Sequence, residues 1–220
     1  VTPETVQDVT ELRAGVEQLL TSGTNALTLM REANPAQTGE GQMYYTAHLR
    51  TYLPVKEVAP LSRGFTVSRD YRLVDCGNPD PQAECPAIAS AKVGDLIAVK
   101  VTLVVPHAAH YVIVEDPIPA GTEPVDASLQ TTSEAVQDPS VQKEGPAQKP
   151  GWWWTPTHVD LRDEKAVMFA TSLAPGTYEF SYTIRASLPG TFLTLPVTAS
   201  QMYFPETWGR GAGGEFVVTE

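Results

Sequence analysis

Hydrophobic and polar side chains alternate strictly between residues 178 and 186. The apolar positions are Tyr178, Phe180, Tyr182, Ile184 and Ala186, and the positions between them are Glu179, Ser181, Thr183 and Arg185. Successive side chains of a β-strand point to opposite faces, so this pattern predicts a strand with one buried face and one solvent-facing side. We expect the apolar face of this strand at the centre of the protein.

The same period of two recurs along residues 61–220 and predicts a series of strands. Between residues 95 and 105 it places five aliphatic side chains on one face: Ile97, Val99, Val101, Leu103 and Val105. The predicted strands cover residues 65–74, 95–105, 111–116, 159–161, 166–172, 178–186, 192–199 and 215–218. Their spacing is typical of a β-sandwich. Residues 130–151 lack periodicity and are predicted to form a long mobile surface loop.

The segment before residue 60 has a different pattern. Asp8 to Glu11 reads as a capping box, and apolar residues at helical spacing follow as far as Gly23, which predicts one short helix. Strands are predicted over residues 25–30 and 42–53. We therefore predict a mainly β chain, in which an antiparallel β-sandwich domain, residues 61–220, follows a smaller β-rich segment, residues 1–60. Two prolines mark an extended connector over residues 54–62.

Several short motifs resemble the closing segment of bacterial alpha-2-macroglobulins. The motif residues are Arg185-Ala186, Pro189-Gly190, Phe192, Pro196, Ala199, Met202-Tyr203 and Pro205-Glu206. Upstream, residues 158–163 with 167–169, residues 64–71 and residues 41–49 also resemble strands of that family. The similarity covers most of the chain and thins between residues 130 and 151.

The resemblance implies that residues 1–60 form the C-terminal part of a CUB-like domain. Residues 61–220 would then be the terminal macroglobulin-type domain, similar to the eukaryotic receptor-binding domain. It further implies a non-catalytic scaffold within a broad-spectrum, bait-and-trap protease inhibitor of the cell envelope. Its partners would be the other domains of the parent chain, especially the thioester domain, and target proteases through the full-length protein. The family's Cys-x-Glu-Gln thioester motif does not occur at Cys76 or Cys85.

Charge and composition narrow the range of partners. The formal net charge is −11 over 220 residues, which argues against a nucleic-acid partner and against docking to anionic lipid. No apolar run approaches the ~20 residues of a membrane-spanning helix, so no direct membrane insertion is expected. The chain begins without a basic region or an apolar signal core, and we expect it to be part of a longer protein.

The two cysteines, Cys76 and Cys85, enclose a stretch of turn-forming residues that lets the chain double back. A local disulfide is favoured over two free thiols, and it would indicate an oxidising, extracytoplasmic compartment. Periplasm and cell surface are both compatible with this expectation, as is a lipid anchor on the parent chain. No histidine accompanies the pair at zinc-site spacing, and we expect no metal and no cofactor.

Aromatic and charged residues outside the strands are candidates for contact with another domain or a partner: Trp152, Trp153, Trp154, Tyr203 and Glu206. The three tryptophans could instead begin a strand, with one face in the core. An alternative function is an Ig-like cell-surface module that binds glycan or protein through them.

No residue pattern predicts catalysis. His107 and His110 have no third ligand beside them, and His158 lies near acids but without a nucleophile motif. Glu115 and Asp116 end a predicted strand before Pro117, where solvated acids are ordinary. We therefore expect no enzyme activity.

Overall fold

The computed structural model describes residues 11–19, 22–28, 44–48, 50, 52–77, 84–125, 140–143 and 158–220. The chain divides into two compact units, Val1–Arg50 and Thr51–Glu220. The division therefore falls before the predicted connector, which lies within the second unit. Within the described residues, no helix is long and apolar enough to cross a membrane.

The described residues of the first unit contain less regular structure than the sequence pattern predicts. Its described residues include one 3-10 helix, Val16–Gln18, whereas residues 11–15 are not helical. Residues 25–28 and 44–48, within the predicted strands, are also irregular, and their side chains are exposed. The expected helix and strands are wrong at these positions. A short helix gains most of its stability from packing an apolar face, and Leu12 is 72% exposed.

The described residues of the second unit form fourteen strands joined into three sheets. The strands are β1 (Leu61–Arg63), β2 (Thr66–Leu73), β3 (Ser90–Lys92), β4 (Leu96–Val105), β5 (Ala109–Pro117), β6 (Thr122–Pro124), β7 (Ser140–Lys143), β8 (His158–Leu161), β9 (Lys165–Leu173), β10 (Gly176–Ala186), β11 (Gly190–Thr194), β12 (Thr198–Gln201), β13 (Phe204–Arg210) and β14 (Gly214–Thr219). A 3-10 helix, Val55–Glu57, precedes them. The mainly β prediction is confirmed.

Two of the sheets are antiparallel and supply most of the core. One has the strand order β1-β13-β12-β5-β9-β8, and the other has the order β2-β4-β10-β6, with β7 also paired to β10. A third sheet has the order β11-β14-β3, in which β14 and β3 are parallel. The long pair β4 and β10 is in register with Phe180 opposite Val101 and Tyr182 opposite Val99.

The predicted apolar faces form the core. Tyr178, Phe180, Tyr182, Ile184 and Ala186 are at most 3% exposed, as are the five alternating aliphatic residues of β4. They belong to one continuous cluster with apolar residues of β5, β9 and β12. Alternation along single strands therefore identified the inner face of the sandwich.

Thr183 departs from that alternation. We expected it on the solvent-facing side of β10, but it is only 6% exposed. β6 pairs with β10 beside it, and the Val125 amide donates a hydrogen bond of 2.9 Å to the Thr183 carbonyl. The expectation that the Thr183 side chain faces solvent is therefore wrong.

Two other expectations also need correction. The predicted strand 192–199 is divided into β11 and β12, which belong to different sheets. The break falls at residues 195–197, where Pro196 cannot donate a backbone hydrogen bond to a neighbouring strand. The predicted loop 130–151 contains β7, which pairs with β10 from Tyr178 to Ser181.

The predicted connector packs against the sandwich through its backbone. The Gly213 amide donates to the Val58 carbonyl at 3.0 Å, and Arg210 Nε donates to the Ala59 carbonyl at 3.2 Å. Lys56 forms an ion pair with Glu215. These contacts explain why the connector belongs to the second unit rather than the first.

The disulfide prediction is confirmed. Cys76 and Cys85 are bonded, with their Cα atoms 6.0 Å apart. The bridge closes a loop that returns beside β2, where the Ile88 amide donates to the Tyr71 carbonyl at 2.8 Å. Arg72 Nη1 also donates to the Cys85 carbonyl at 2.9 Å, so the covalent link and these hydrogen bonds hold the same segment against β2.

Candidate interdomain contact surface

The hairpin between β12 and β13 presents apolar side chains to solvent. Met202 and Tyr203 connect the paired residues Gln201 and Phe204, which makes the hairpin loop two residues long. Exposure reaches 68% for Tyr203 and 52% for both Met202 and Phe204. Three neighbouring exposed apolar side chains are more than the scattered surface hydrophobics of an ordinary monomer, and they mark a candidate contact site.

A second aromatic residue, Tyr111 of β5, contacts this hairpin. The Tyr111 and Tyr203 rings have centroids 5.0 Å apart and planes at 90°, an edge-to-face arrangement. The Met202 amide donates a hydrogen bond of 3.0 Å to the Tyr111 carbonyl, and Gln201 Nε2 donates to the His110 carbonyl at 3.2 Å. Backbone and side-chain contacts thus join the hairpin to the beginning of β5.

The sequence analysis did not identify Tyr111 as a site residue. The predicted strand began there, which would have made it an ordinary strand residue. A signal was nevertheless present: Ala109 and Val112 are apolar at a spacing of three, whereas Val112 and Val114 follow the period of two. A change of phase in an alternating pattern indicates an irregular strand.

The structure brings two of the five candidate contact residues onto one hairpin. Tyr203 lies at its tip, and Glu206 lies on β13 with an exposed side chain. Trp152, Trp153 and Trp154 lie outside the described residues. The candidate contact surface is therefore defined here by Tyr111, the hairpin tip 202–204 and Glu206.

A buried ion pair joins the two main sheets. Arg69 of β2 donates to the Asp116 carboxylate of β5, and their side chains are 5% and 1% exposed. The Tyr182 hydroxyl donates to the other carboxylate oxygen at 2.8 Å. Arg69 also donates to the carbonyls of Pro117 at 3.1 Å and Leu195 at 3.0 Å. The expectation that Asp116 is a solvated acid at a strand end is wrong, because its carboxylate is a central acceptor of the sandwich.

Burial and charge act in opposite directions on this network. Burial raises the pKa of the Asp116 carboxyl, while Arg69 and the Tyr182 hydroxyl stabilise its charged form and reduce that increase. Burial alone would lower the pKa of Arg69, but the Asp116 charge, its hydrogen bond and the nearby Tyr71 and Tyr182 together outweigh burial, and the pKa is raised. Burial, followed by the Asp116 charge, holds the pKa of Tyr182 well above its ordinary value. The Arg69 guanidinium also lies 4.9 Å from the centroid of the Tyr71 ring.

The described residues combine an exposed apolar hairpin with a buried ionic network. Across the part of the chain that the structure describes, no group of three or more His, Cys, Asp or Glu side chains could hold a metal ion. His110 is exposed, and its carbonyl accepts a hydrogen bond from Gln201. Arg69, Asp116 and Tyr182, whose pKa values are all raised, are buried in the sandwich and join its strands.

Known proteins similar to this chain are bacterial alpha-2-macroglobulins. The family model described as the bacterial alpha-2-macroglobulin MG10 domain matches residues 64–206. An alpha-2-macroglobulin homolog of Nostoc sp. is 29% identical over 127 residues, which cover 58% of this chain and 6% of the relative. This chain thus matches a small fraction of the length of that relative.

Solved structures agree on the fold. Salmonella alpha-2-macroglobulin reacted with methylamine superimposes with a TM-score of 0.53 at 23% identity, over 74% of this chain and 10% of its own. Native Escherichia coli alpha-2-macroglobulin, from domain MG7 to the C-terminus, gives 0.55 at 19% identity, over 76% of this chain and 25% of its own. At these identities the structural likeness supports the fold.

Proposed function

The chain belongs to the bacterial alpha-2-macroglobulin MG10 domain family, and from that premise we propose that it is a non-catalytic scaffold of a bait-and-trap protease inhibitor. In this proposal its sandwich packs beside the thioester domain of the same parent protein. That contact holds the native state until a protease cleaves the bait region elsewhere in the parent. The inhibitor acts outside the cytoplasm, in the periplasm or at the cell surface.

The observation that carries the proposal is the exposed apolar hairpin with Tyr203 at its tip. Leaving the apolar surface of such a loop exposed to water is unfavourable by about 25 cal/mol per Å², compared with burying it. Contact with a neighbouring domain would remove Tyr203, Met202 and Phe204 from water. Because the matched Nostoc relative is far longer than this chain, neighbouring domains are the simplest source of such a contact.

The strands that carry the hairpin are firmly paired, which supports the scaffold role. β12 pairs with β5 along its whole length, and β5 carries the buried Asp116 that binds Arg69 in the opposite sheet. A contact surface held on paired strands keeps its shape better than one carried on a free loop. The hairpin can therefore transmit a docking contact to the whole sandwich as a rigid body.

The disulfide agrees with the proposed location. Structural disulfides persist in oxidising compartments and are rare in the cytosol. The Cys76–Cys85 bridge therefore supports an envelope protein.

The proposal is tested in the full-length parent protein with the variant Tyr203→Gly. If the hairpin covers the thioester domain, losing the ring should increase the rate at which methylamine reacts with the thioester before any protease is added. Release of the thiol, measured with Ellman's reagent, follows that reaction. Tyr52→Ala is the matched control, because Tyr52 is 86% exposed and lies outside the proposed contact surface.

An unchanged methylamine rate in Tyr203→Gly would overturn the proposed contact. The isolated 220-residue chain provides a separate test of the scaffold role. Incubated with several proteases and examined on non-reducing gels, it should form no covalent adduct and should not slow cleavage of a large substrate. Either activity in the isolated chain would contradict a non-catalytic scaffold.

A further inference from the structure

The alternation of buried residues changes phase in two neighbouring strands at the level of Tyr111. In β5, Val112 is buried and so is Ala109, three residues earlier. In β9, Ala170 is buried and so is Leu173, three residues later. These four residues face each other as the pairs Ala109–Leu173 and Val112–Ala170. The irregularity is therefore shared by both strands and is matched across the sheet.

β12, which pairs with β5, is irregular at the same level. The pairing of β12 with β13 shifts register between Ser200 and Gln201, immediately before the hairpin loop. Gln201 pairs with Val112 on its other side, so this shift lies beside the phase change in β5. Irregularities of this kind bend a sheet and redirect side chains. Here the redirected side chains are Tyr111 and those of the hairpin loop.

Tyr111 adopts a backbone conformation that its side chain disfavours. Its φ is +53°, and among the described residues it is the one non-glycine with a positive φ. A bulky residue in the left-handed region is an outlier that persists where the surroundings hold it. The hydrogen bond from the Met202 amide to the Tyr111 carbonyl and that from Gln201 to the His110 carbonyl supply this hold. The donors are Gln201, the last residue of β12, and Met202, the first residue of the hairpin loop.

We propose that Tyr111 is a positioning residue, whose ring and left-handed backbone fix the orientation of the Tyr203 ring for docking against the neighbouring domain. The proposal rests on the proposed function of the Tyr203 hairpin and adds a residue that must act for that hairpin to dock. Tyr203, at 68% exposure, has little else to restrict its rotamer. The edge-to-face contact with Tyr111 restricts it before docking, so less side-chain entropy is lost when the contact forms.

Three substitutions separate the ring of Tyr111 from its backbone. Tyr111→Gly removes the ring but accepts the positive φ readily, so the strand geometry should be retained. Tyr111→Phe keeps the ring and removes the hydroxyl. Tyr111→Ala removes the ring and retains the backbone penalty, and it serves as a second ring-deleted variant if the glycine variant does not fold.

The orientation itself is measured by NMR on the 220-residue chain. The ring current of Tyr111 should displace the ring-proton resonances of Tyr203. In Tyr111→Gly those resonances should move to the positions of a free tyrosine, whereas Tyr111→Phe should keep them displaced. Unchanged Tyr203 resonances in Tyr111→Gly would overturn the positioning role.

The consequence for docking is measured in the full-length protein by the methylamine rate. Tyr111→Gly should raise that rate roughly 2- to 12-fold, the range that corresponds to losing one aromatic pair. Tyr111→Phe should restore the rate of the unmodified protein. The double variant Tyr111→Gly/Tyr203→Gly should react no faster than Tyr203→Gly alone, because Tyr111 acts through Tyr203.

The two proposals fail in different ways. If Tyr203→Gly raises the methylamine rate and Tyr111→Gly does not, the hairpin contact stands and the positioning role is overturned. Additive effects in the double variant would likewise show that Tyr111 acts independently of Tyr203. If Tyr203→Gly leaves the rate unchanged, the proposed function is overturned, and the role of Tyr111 in docking is overturned with it.

Discussion

Removing the Asp116 carboxylate should destabilise the sandwich more than any other single loss of charge that the structure shows. Asp116 is 1% exposed at its side chain and accepts hydrogen bonds from Arg69 and from the Tyr182 hydroxyl. In Asp116→Ala the Arg69 guanidinium stays buried without a counter-charge. Breaking a buried ion pair in this way costs about 3–5 kcal/mol.

The upper half of that range is the better expectation. The Tyr182 hydroxyl loses its acceptor in the same variant, and an unsatisfied buried hydroxyl adds its own penalty. A domain of this size is stable by about 5–15 kcal/mol, so the variant would lose a large fraction of its stability. Arg69 keeps its hydrogen bonds to the Pro117 and Leu195 carbonyls, and these reduce the cost of leaving its buried charge without Asp116.

Urea unfolding followed by tryptophan fluorescence and far-UV circular dichroism measures this loss. The midpoint should fall with little change in the slope m, because the core surface exposed on unfolding is unchanged. Asp160→Ala is the control: Asp160 pairs with Arg162 at 2.7 Å on the surface, where such pairs contribute about 0–1 kcal/mol. The double variant Arg69→Met/Asp116→Leu should be less destabilised than Asp116→Ala, since it leaves no uncompensated charge.

Two results would refute this reasoning. A loss below about 1 kcal/mol in Asp116→Ala, similar to that in Asp160→Ala, would mean that the buried pair contributes as little as a surface pair. If Arg69→Met/Asp116→Leu loses as much stability as Arg69→Met and Asp116→Leu measured separately and added, Arg69 and Asp116 are not energetically coupled.

Three further predictions follow from the core and the disulfide. Phe180→Ala should lower the free energy of unfolding in urea by about 3–5 kcal/mol. Ser181→Ala, on the outer face, should lower it by well under ~1 kcal/mol. Equal losses would contradict the assignment of faces. Ellman titration of the unfolded, unreduced chain should find no thiol at Cys76 and Cys85, and reduction should lower stability by at most about 3 kcal/mol; two titratable thiols would exclude the bridge. The pKa of Tyr182 is raised in the fold above its unfolded value of 10.0, so stability is complete below about pH 10 and is lost as the pH rises further. Tyr182→Phe should reduce that slope by up to about 1.4 kcal/mol per pH unit, and an unchanged slope would contradict the shift.

Strands with a local pattern of alternating side chains could be predicted from the sequence alone. Alternation from Tyr178 to Ala186 and along β4 identified the buried faces, because the side-chain period of a strand does not depend on its neighbours. The Cys76–Cys85 bridge was also predictable, since a short loop with turn residues brings the thiols together. Motif residues such as Met202-Tyr203 and Pro205-Glu206 indicated the family.

Features that depend on residues far apart in the sequence became visible only in the folded structure. Thr183 follows the outer-face pattern of its strand, but it is buried in the folded sandwich. Asp116 looks like a turn acid in sequence, yet Arg69, 47 positions away, makes it a buried counter-ion. The left-handed backbone of Tyr111 is held by hydrogen bonds from a hairpin about 90 residues further along the chain. A pattern read within one strand cannot contain these contacts, because each is formed only when separate strands pack together.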